Sequence, residues 1–157
     1  MISGNGFLFD ENSFIPKSIE SFDSEHLSLF EKEHFDWPWS VEQWESINWA
    51  HHSLFLYHHK EELVGFSLYH NLPGDDTAHL LKIVINTSSR GVGHGKILLK
   101  KSLKHLKDNG FSNCNLEVKA SNRPARELYE RLGFNEQRVM KRFYQNGDNA
   151  VSYLIVL

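Results

Sequence analysis

Clustered and alternating apolar residues along the chain predict a mixed set of strands and helices. Short apolar runs bounded by polar residues indicate seven strands, at residues 6–9, 53–58, 63–69, 78–85, 113–118, 138–144 and 150–156. The nearly continuous apolar run at 78–85 suits a strand that is buried on both faces. Helical spacing indicates four helices, over 18–35, from Ser40 onward, after the glycine-rich segment 89–96, and from Asn122 to Leu132.

Capping and turn residues support several of these boundaries. Ser40 and Gln43 form a capping-box pattern at the start of the second helix. Gly133 follows the fourth helix, where a helix commonly ends in the left-handed conformation. The polar tip at 59–62 and the Asn-Gly pair within 145–148 predict two hairpins. The leucines and most of the lysines of the third helix lie on separate stripes, as expected for a helix packed on a sheet.

Length and charge limit the organisation and the ligand. The 157 residues contain no linker, repeat or low-complexity run, so we expect one domain over 1–157. The net charge of −3 argues against a nucleic-acid-binding protein with one continuous basic surface. However, residues 90–131 hold ten basic and four acidic side chains, a local charge of +6 against −9 elsewhere. This asymmetry predicts a local site for an anionic ligand.

The single cysteine and the hydropathy pattern bear on the cellular setting. Cys114 lies within a predicted strand, so we interpret it as a small apolar core residue rather than a nucleophile. One cysteine allows no intramolecular disulfide, and no stretch approaches 18 consecutive apolar residues. We therefore expect a cytoplasmic protein without a membrane segment or direct nucleic-acid contact, present as a monomer or weak dimer.

A glycine-rich turn lies between the 78–85 strand and the third helix. It contains Gly91, Gly93 and Gly95, and free amides at a helix N-terminus attract phosphate. A Walker-type loop needs a hydroxyl residue after its lysine, but Lys96 is followed by Ile97. The glycine spacing also departs from the dinucleotide-binding pattern.

Two motifs together resemble those of the GNAT superfamily of N-acetyltransferases. Arg90, Gly93 and Gly95 match its Arg/Gln-x-x-Gly-x-Gly/Ala turn, and the segment from Asn122 to Phe134 matches Asn-x-x-Ala-x-x-Leu-Tyr-x-x-x-Gly-Phe. The likeness is close over 78–134. Within the superfamily the chain resembles the RimI type, which acetylates the N-terminal amine of a ribosomal protein. The resemblance implies an α/β (α+β) GNAT fold, a mixed and mostly antiparallel sheet of about seven strands flanked by about four helices.

The resemblance also implies acetyl-CoA as co-substrate, with no metal. The strand end Ile83, Val84 and Ile85 would hold the pantetheine arm through its backbone, and Asn122 would bond the donor nearby. The pyrophosphate would contact the turn residues Arg90, Gly91, Val92, Gly93, His94, Gly95 and Lys96.

The same resemblance suggests catalytic and acceptor residues. Glu117 would act as the general base and Tyr129 would protonate the departing thiolate. Trp39 and Tyr144 would contact the acceptor. Four tryptophans at 37–49, with acidic residues at 31–45, could form a wall for a cationic peptide, although Trp44 also suits the buried face of the second helix.

Three functions remain open on the sequence. The first is acetyl transfer to a protein N-terminal α-amine. The second is transfer to a small amine such as a polyamine, an amino acid or an aminoglycoside. The third is a non-catalytic acetyl-CoA-binding module. Ten histidines, several of them at 51–59, suggest a metal, but they lack the spacing of a zinc site.

Overall fold

An eight-stranded sheet forms the centre of the protein in a computed structural model that describes residues 2–157. The strands are β1 (Ile2–Phe9), β2 (Lys17–Phe22), β3 (His52–His59), β4 (Glu62–His70), β5 (Thr77–Ile85), β6 (Asn113–Lys119), β7 (Asn135–Met140) and β8 (Ala150–Val156). The helices are α1 (Ser24–His34), α2 (Val41–Glu45), α3 (His94–Asp108) and α4 (Arg123–Leu132).

The sheet order is β2-β1-β3-β4-β5-β6-β8-β7. Neighbouring strands are antiparallel except for two parallel pairs, β1 with β3 and β5 with β6. The predicted mixed, mostly antiparallel sheet with four helices is confirmed, with one strand more than the apolar runs indicated.

Helices cover both faces of the sheet and create two apolar layers. Leucines of α3 and Tyr129 of α4 pack on one face with Phe55 of β3 and Leu116 of β6. Leu27 and Phe30 of α1 and Trp44 of α2 pack on the other face with Phe66 of β4. The two layers therefore separate the α3–α4 side of the sheet from the α1–α2 side.

The helix predicted over 18–35 is wrong at its start, because residues 17–22 form strand β2. This strand pairs with β1, with Ile19 opposite Gly6, so the sheet supplies its hydrogen bonds. The helix begins after Asp23, whose side chain accepts hydrogen bonds from the backbone N–H groups of Glu25 and His26. The spacing of three residues between Ile19 and Phe22 favours a helix, and pairing with the neighbouring strand overrides that local preference.

The last hairpin is confirmed, but its first strand is shifted. Strand β7 ends at Met140, so the predicted strand 138–144 is wrong over its last four residues. Those residues belong to a long turn in which the Asn149 side chain accepts a hydrogen bond from the Arg142 N–H, and Arg142 adopts a positive φ of 52°. Tyr144 therefore lies on a loop rather than in a strand.

Strand β5 changes its buried face partway along. Tyr69 of β4 pairs with Leu80 and Leu68 pairs with Lys82, so Leu81 is an extra residue, a β-bulge. Before the bulge, Leu80 packs in the α3–α4 layer; after it, Val84 packs in the α1–α2 layer. The expectation that this strand is buried on both faces fails at Leu81, which is 40% exposed.

Candidate active site

Strands β5 and β6 separate at the centre of the sheet. Their parallel pairing ends at Leu80 with Leu116, whereas β5 stays paired to β4 and β6 stays paired to β8. The Asn86 N–H donates to Val64 of β4 over 2.8 Å. Because backbone groups alternate along a strand, those of Ile83 and Ile85 face the opening between β5 and β6. The Ile83 backbone groups and the Ile85 N–H are thus available where a ligand could lie between the two strands, whereas the Ile85 carbonyl accepts a hydrogen bond from Arg90.

A cavity of about 570 Å³ lies next to this opening on the α3–α4 side. Most of the residues predicted to hold the donor line it: Ile83, Ile85, Arg90, Gly91, Gly93, His94, Gly95, Lys96 and Asn122. The Val84 side chain is 1% exposed and belongs to the other apolar layer, and Val92 is 71% exposed outside the lining. The structure therefore brings together two sequence segments that lie about 30 residues apart.

The glycine-rich turn points free amides into this cavity. Gly91 and Gly93 adopt positive φ angles of 78° and 96°, and Gly93 is the N-cap of α3 without any side-chain cap bond. A Cβ at either position would meet nothing within 4 Å, so backbone conformation rather than space calls for glycine. The first N–H groups of a helix have no partner in their own helix, and they carry the positive end of its dipole. The turn can therefore bind an anion.

Arg90 makes two hydrogen bonds to backbone carbonyls at the edge of the cavity. Its Nε donates to the carbonyl of Ile85 over 3.0 Å, and its Nη2 donates to the carbonyl of His34 at the end of α1. His34 in turn accepts a hydrogen bond from the Thr87 N–H over 3.2 Å. Arg90 thus ties α1 to the end of β5, a role that the sequence did not suggest.

Glu117 approaches the opening from the α1–α2 side. Its neighbours Leu116 and Val118 are buried in the α3–α4 layer, as strand alternation predicts. The Glu117 side chain is 23% exposed, and its Oε2 lies 2.6 Å from Nε2 of His79 on β5. The pairing with His79 was not predicted, because it depends on the register between two strands more than 30 residues apart.

Tyr129 approaches from the opposite side. It is 5% exposed, lines the cavity, and packs edge-on against Phe134 with ring centroids 5.6 Å apart. Burial raises the pKa of Tyr129 far above its usual range, and the nearby Cys114 and Tyr144 add to the shift. Its hydroxyl therefore stays protonated, and able to donate, at neutral pH.

Cys114 behaves as predicted from its place in a strand. It is fully buried in β6, and burial raises the pKa of its thiol to about 12. A thiol with so high a pKa carries almost no thiolate at neutral pH, which confirms its interpretation as an apolar core residue.

Aromatic residues lie near Glu117 on the same face of the sheet. The Lys119 Nζ lies 5.1 Å from the ring centroid of Trp37 and 5.9 Å from that of Tyr144, and it pairs with Asp148 over 3.0 Å. The pKa of Tyr144 is raised by burial first and then by the charges of Glu117 and Asp148. These contacts define a surface beside Glu117, formed by Trp37, Tyr144, Lys119 and Asp148, which we call the aromatic surface.

The other tryptophans pack against residues within the protein. Trp44 is fully buried, which confirms its place on the inner face of α2. Trp39 packs edge-on against Trp44, with ring centroids 5.3 Å apart, and Trp49 packs on Phe22 at 4.6 Å. Trp37, by contrast, is 55% exposed and presents most of its ring to solvent.

A buried ion pair supports the loop that carries Trp37 and Trp39. Lys82 Nζ lies 2.7 Å from Glu31 Oε2, and the side chains of Lys82 and Glu31 are 5% and 0% exposed. The Trp39 N–H donates to the same Glu31 oxygen over 2.8 Å. Lys82 interrupts the apolar run at 80–85, and this charge was the available signal for a buried pair.

The described chain places few further limits on function. Residues 2–157 contain no group of three or more His, Cys, Asp or Glu side chains that could hold a metal ion. Within that same range no helix is long and apolar enough to cross a membrane.

Comparison with known proteins agrees with this geometry. Residues 19–134 match the family model described as the acetyltransferase (GNAT) family. The [ribosomal protein bS18]-alanine N-acetyltransferase of Haemophilus influenzae is 33% identical over 143 residues, which are 91% of this chain and 96% of that protein. The enzyme of the same name from Escherichia coli K12 is 27% identical, over 88% of this chain and 93% of its own.

Solved structures give the same result. The crystal structure of the ribosomal-protein-S18-alanine N-acetyltransferase from Escherichia coli superposes with a TM-score of 0.80 and 26% identity, covering 89% of this chain and 91% of that one. A GNAT acetyltransferase from Elizabethkingia anophelis, solved with acetyl-CoA bound, shares the fold with a TM-score of 0.62 and 18% identity, over 68% of this chain and 77% of its own. The motifs, the separated strands, the cavity and these similarities lead to one conclusion: this chain is an N-acetyltransferase of the GNAT family.

Proposed function

We propose that the protein transfers an acetyl group from acetyl-CoA to the α-amine of a protein N-terminus. One observation carries this proposal: Glu117 and Tyr129 approach the opening between β5 and β6 from opposite faces of the sheet. A base on one side and an acid on the other are what direct acyl transfer to an amine requires. The relatives named as alanine N-acetyltransferases support an α-amine as the acceptor.

The cavity residues fit the donor. The pyrophosphate would accept hydrogen bonds from the amides of the glycine-rich turn, with Lys96 and Arg90 adding positive charge. The backbone of Ile83 and Ile85 would bond the pantetheine arm, and the side chains of Ile83, Ile85 and Leu128 provide an apolar wall for it. Asn122 caps α4 through the Ala125 N–H over 3.3 Å and also lines the cavity, so it can serve both roles.

The chain's own groups can move the protons of the reaction. A free α-ammonium has a pKa near 8 and must lose a proton before it can attack. Glu117 would accept that proton, directly or through water, and an unpaired N–H of β5 would stabilise negative charge on the carbonyl oxygen. As the C–N bond forms and the C–S bond breaks, Tyr129 would donate its hydroxyl proton to the sulfur, and the second proton of the amine nitrogen would restore that hydroxyl through water.

The aromatic surface suits the start of a peptide. Trp37 and Tyr144 offer flat apolar contacts, and Glu117 offers negative charge near the position of the amine, whereas the charge of Asp148 is offset by Lys119. We propose Tyr144 as a direct acceptor contact. Trp39 would act mainly by supporting the loop that carries Trp37, because its ring packs on Trp44 and lies 4.3 Å from Lys82 Nζ.

A panel of acceptors tests the proposal. The panel contains a peptide with a free N-terminal alanine, the same peptide acetylated at its N-terminus but retaining one lysine, spermidine, and an aminoglycoside. Thiol release and product mass are followed with acetyl-CoA in excess. We expect turnover only with the free N-terminus. Faster acetylation of a small amine or of the lysine would refute the α-amine, and acetyl-CoA binding without any turnover would indicate a non-catalytic module.

A further inference from the structure

Glu117 does not stand alone on its face of the sheet. Its Oε2 and the Nε2 of His79 are 2.6 Å apart, which is the length of a charge-assisted hydrogen bond with one proton between the two atoms. The two side chains are 23% and 34% exposed, so the pair is sheltered yet within reach of water. The Glu117 carboxylate is therefore held by an imidazole whose other ring nitrogen is free to accept a proton.

Histidines continue from this pair across the sheet. His79 of β5 lies opposite His70 of β4, and His70 lies opposite His52 of β3. The rings of His52 and His70 are 4.9 Å apart, and His51 lies 6.4 Å from His70. We call His79, His70, His52 and His51 the histidine row. It leads from Glu117 across β5 and β4 toward β3, outside the donor cavity.

Burial and the neighbouring histidines favour the neutral form of His70. The pKa of His70 is lowered by burial first and then by His52, His51 and His79, while Asp75 acts in the opposite direction. The groups that face Glu117 and His79 from the surrounding elements are His70 of β4, Tyr144, Asp148 and Lys119. Lys119 is paired with Asp148, so no unpaired cation from this set opposes a proton on the pair.

The proposed reaction must release a proton on the acceptor side. An α-ammonium loses two protons on becoming an amide, the thiol takes up one, and the other must reach solvent. A carboxylate is a poor holder of that proton, because carboxyl groups ordinarily have a pKa near 4 and imidazoles near 6.5. An imidazole bonded to the carboxylate supplies a second basic atom for that proton.

We propose that His79 is a positioning and proton-accepting partner of Glu117, and that the histidine row carries the released proton away from the acceptor amine. This inference rests on the proposed acetyl transfer. The amine N–H bond breaks as an O–H bond forms on Glu117. Water then carries that proton from Glu117 to Nδ1 of neutral His79, whose Nε2–H keeps its hydrogen bond to the carboxylate, and the resulting imidazolium passes the Nδ1 proton to His70 or to water.

The variant His79→Gln tests the inference, because glutamine keeps a polar side chain of similar reach but cannot titrate. We expect kcat at pH 7 to fall by about ten- to a hundredfold, at the lower end of general acid–base effects. We expect the KM for acetyl-CoA to stay unchanged, since His79 lies outside the donor cavity. We also expect the acid limb of the kcat profile to move to lower pH, because a lone carboxylate is protonated at lower pH than the pair.

Chemical rescue separates proton transfer from a structural role. Added imidazole should restore part of the kcat of His79→Gln in proportion to its concentration, and it should leave the wild-type protein unaffected. His26→Gln is the matched control, because His26 is an exposed histidine on α1 away from the row. If His79→Gln does not fold, His79→Asn provides the same comparison.

The outcomes distinguish the two proposals. If the wild-type protein acetylates the peptide but His79→Gln keeps the wild-type kcat and pH profile, the inference about His79 is overturned and the proposed function stands. The inference is overturned in the same way if kcat falls but neither imidazole rescue nor a pH shift is seen. If the wild-type protein acetylates no amine, the proposed function fails and the inference fails with it.

Discussion

Removing Glu31 should destabilise the protein strongly, since this carboxylate neutralises a buried lysine. The ammonium of Lys82 has Glu31 Oε2 at 2.7 Å as its charged partner, and its other hydrogen bond goes to the carbonyl of Trp37 over 3.3 Å. Glu31→Ala leaves that ammonium buried with one neutral acceptor and also leaves the Trp39 N–H without its acceptor. Removing one member of a buried pair costs about 3–5 kcal/mol.

This loss is large enough to measure simply. In a domain of this size 1 kcal/mol corresponds to about 2–4 °C, so Tm should fall by roughly 6–20 °C. Urea unfolding followed by tryptophan fluorescence gives the free energy of unfolding directly. The double variant Glu31→Gln with Lys82→Met keeps an acceptor for the Trp39 N–H but removes both charges. It should recover most of the loss, because burying the charges carries a cost of its own.

The pH dependence provides an independent check. Burial lowers the pKa of Lys82 from its usual value of 10.5, and Glu31 opposes that change. Without Glu31 the folded-state pKa falls further, so the unfolded chain binds more protons than the folded one up to about pH 10.5. The difference in free energy of unfolding between the wild type and Glu31→Ala should therefore shrink as the pH rises toward that value. A loss below about 1 kcal/mol, or a double variant as unstable as Glu31→Ala, would refute the reasoning.

Three further predictions concern the donor site and the core. Tyr129→Phe should lower kcat by about 10²- to 10⁴-fold with little change in the KM for acetyl-CoA, and unchanged turnover in steady-state assays would count against an acid role. Gly93→Ala should lower the free energy of unfolding by about 1–2 kcal/mol, because of its φ of 96°, and should weaken acetyl-CoA binding in calorimetry. Gly95→Ala, whose Cβ would lie 3.4 Å from Leu128, should have a mild effect on both. Equal effects of the two variants would contradict this reasoning. The contribution of Cys114 to the free energy of unfolding should be constant below pH 9 and fall between pH 9 and 12, since its pKa rises from 9.0 to about 12 on folding. In urea titrations, Cys114→Ala should therefore lose less stability than the wild type over that pH range.

Local patterns predicted the glycine-rich turn and the two ends of α4 well. The glycine-rich turn, the cap at Asn122 and the end of α4 at Gly133 are set by residues close together in sequence, and the structure has each of them. The prediction for residues 18–22 was wrong because it depended on a distant segment. Their conformation depends on pairing with β1, and an apolar spacing of three residues does not reveal that partner.

The parts of the site that could not be predicted depend on contacts between residues far apart in the sequence. The contact of His79 with Glu117 and that of Lys82 with Glu31 join residues about 40 and 50 positions apart. Each charge was visible in the sequence, but its partner depends on sheet order and on the bulge in β5. The roles of Glu117 and Tyr129 came from the resemblance to a family, because nothing in their local sequence distinguishes a catalytic carboxylate or phenol from an ordinary one.

The bulge at Leu81 makes chain length at this point matter more than side-chain identity. One extra residue turns Lys82 toward Glu31 and Ile83 toward the donor cavity. Deleting Leu81 would reverse both, sending an ammonium toward the pantetheine path and an isoleucine against a buried carboxylate. In related proteins that keep the activity, the residue at this exposed position should therefore vary freely. Single-residue insertions and deletions at this position should be absent from them.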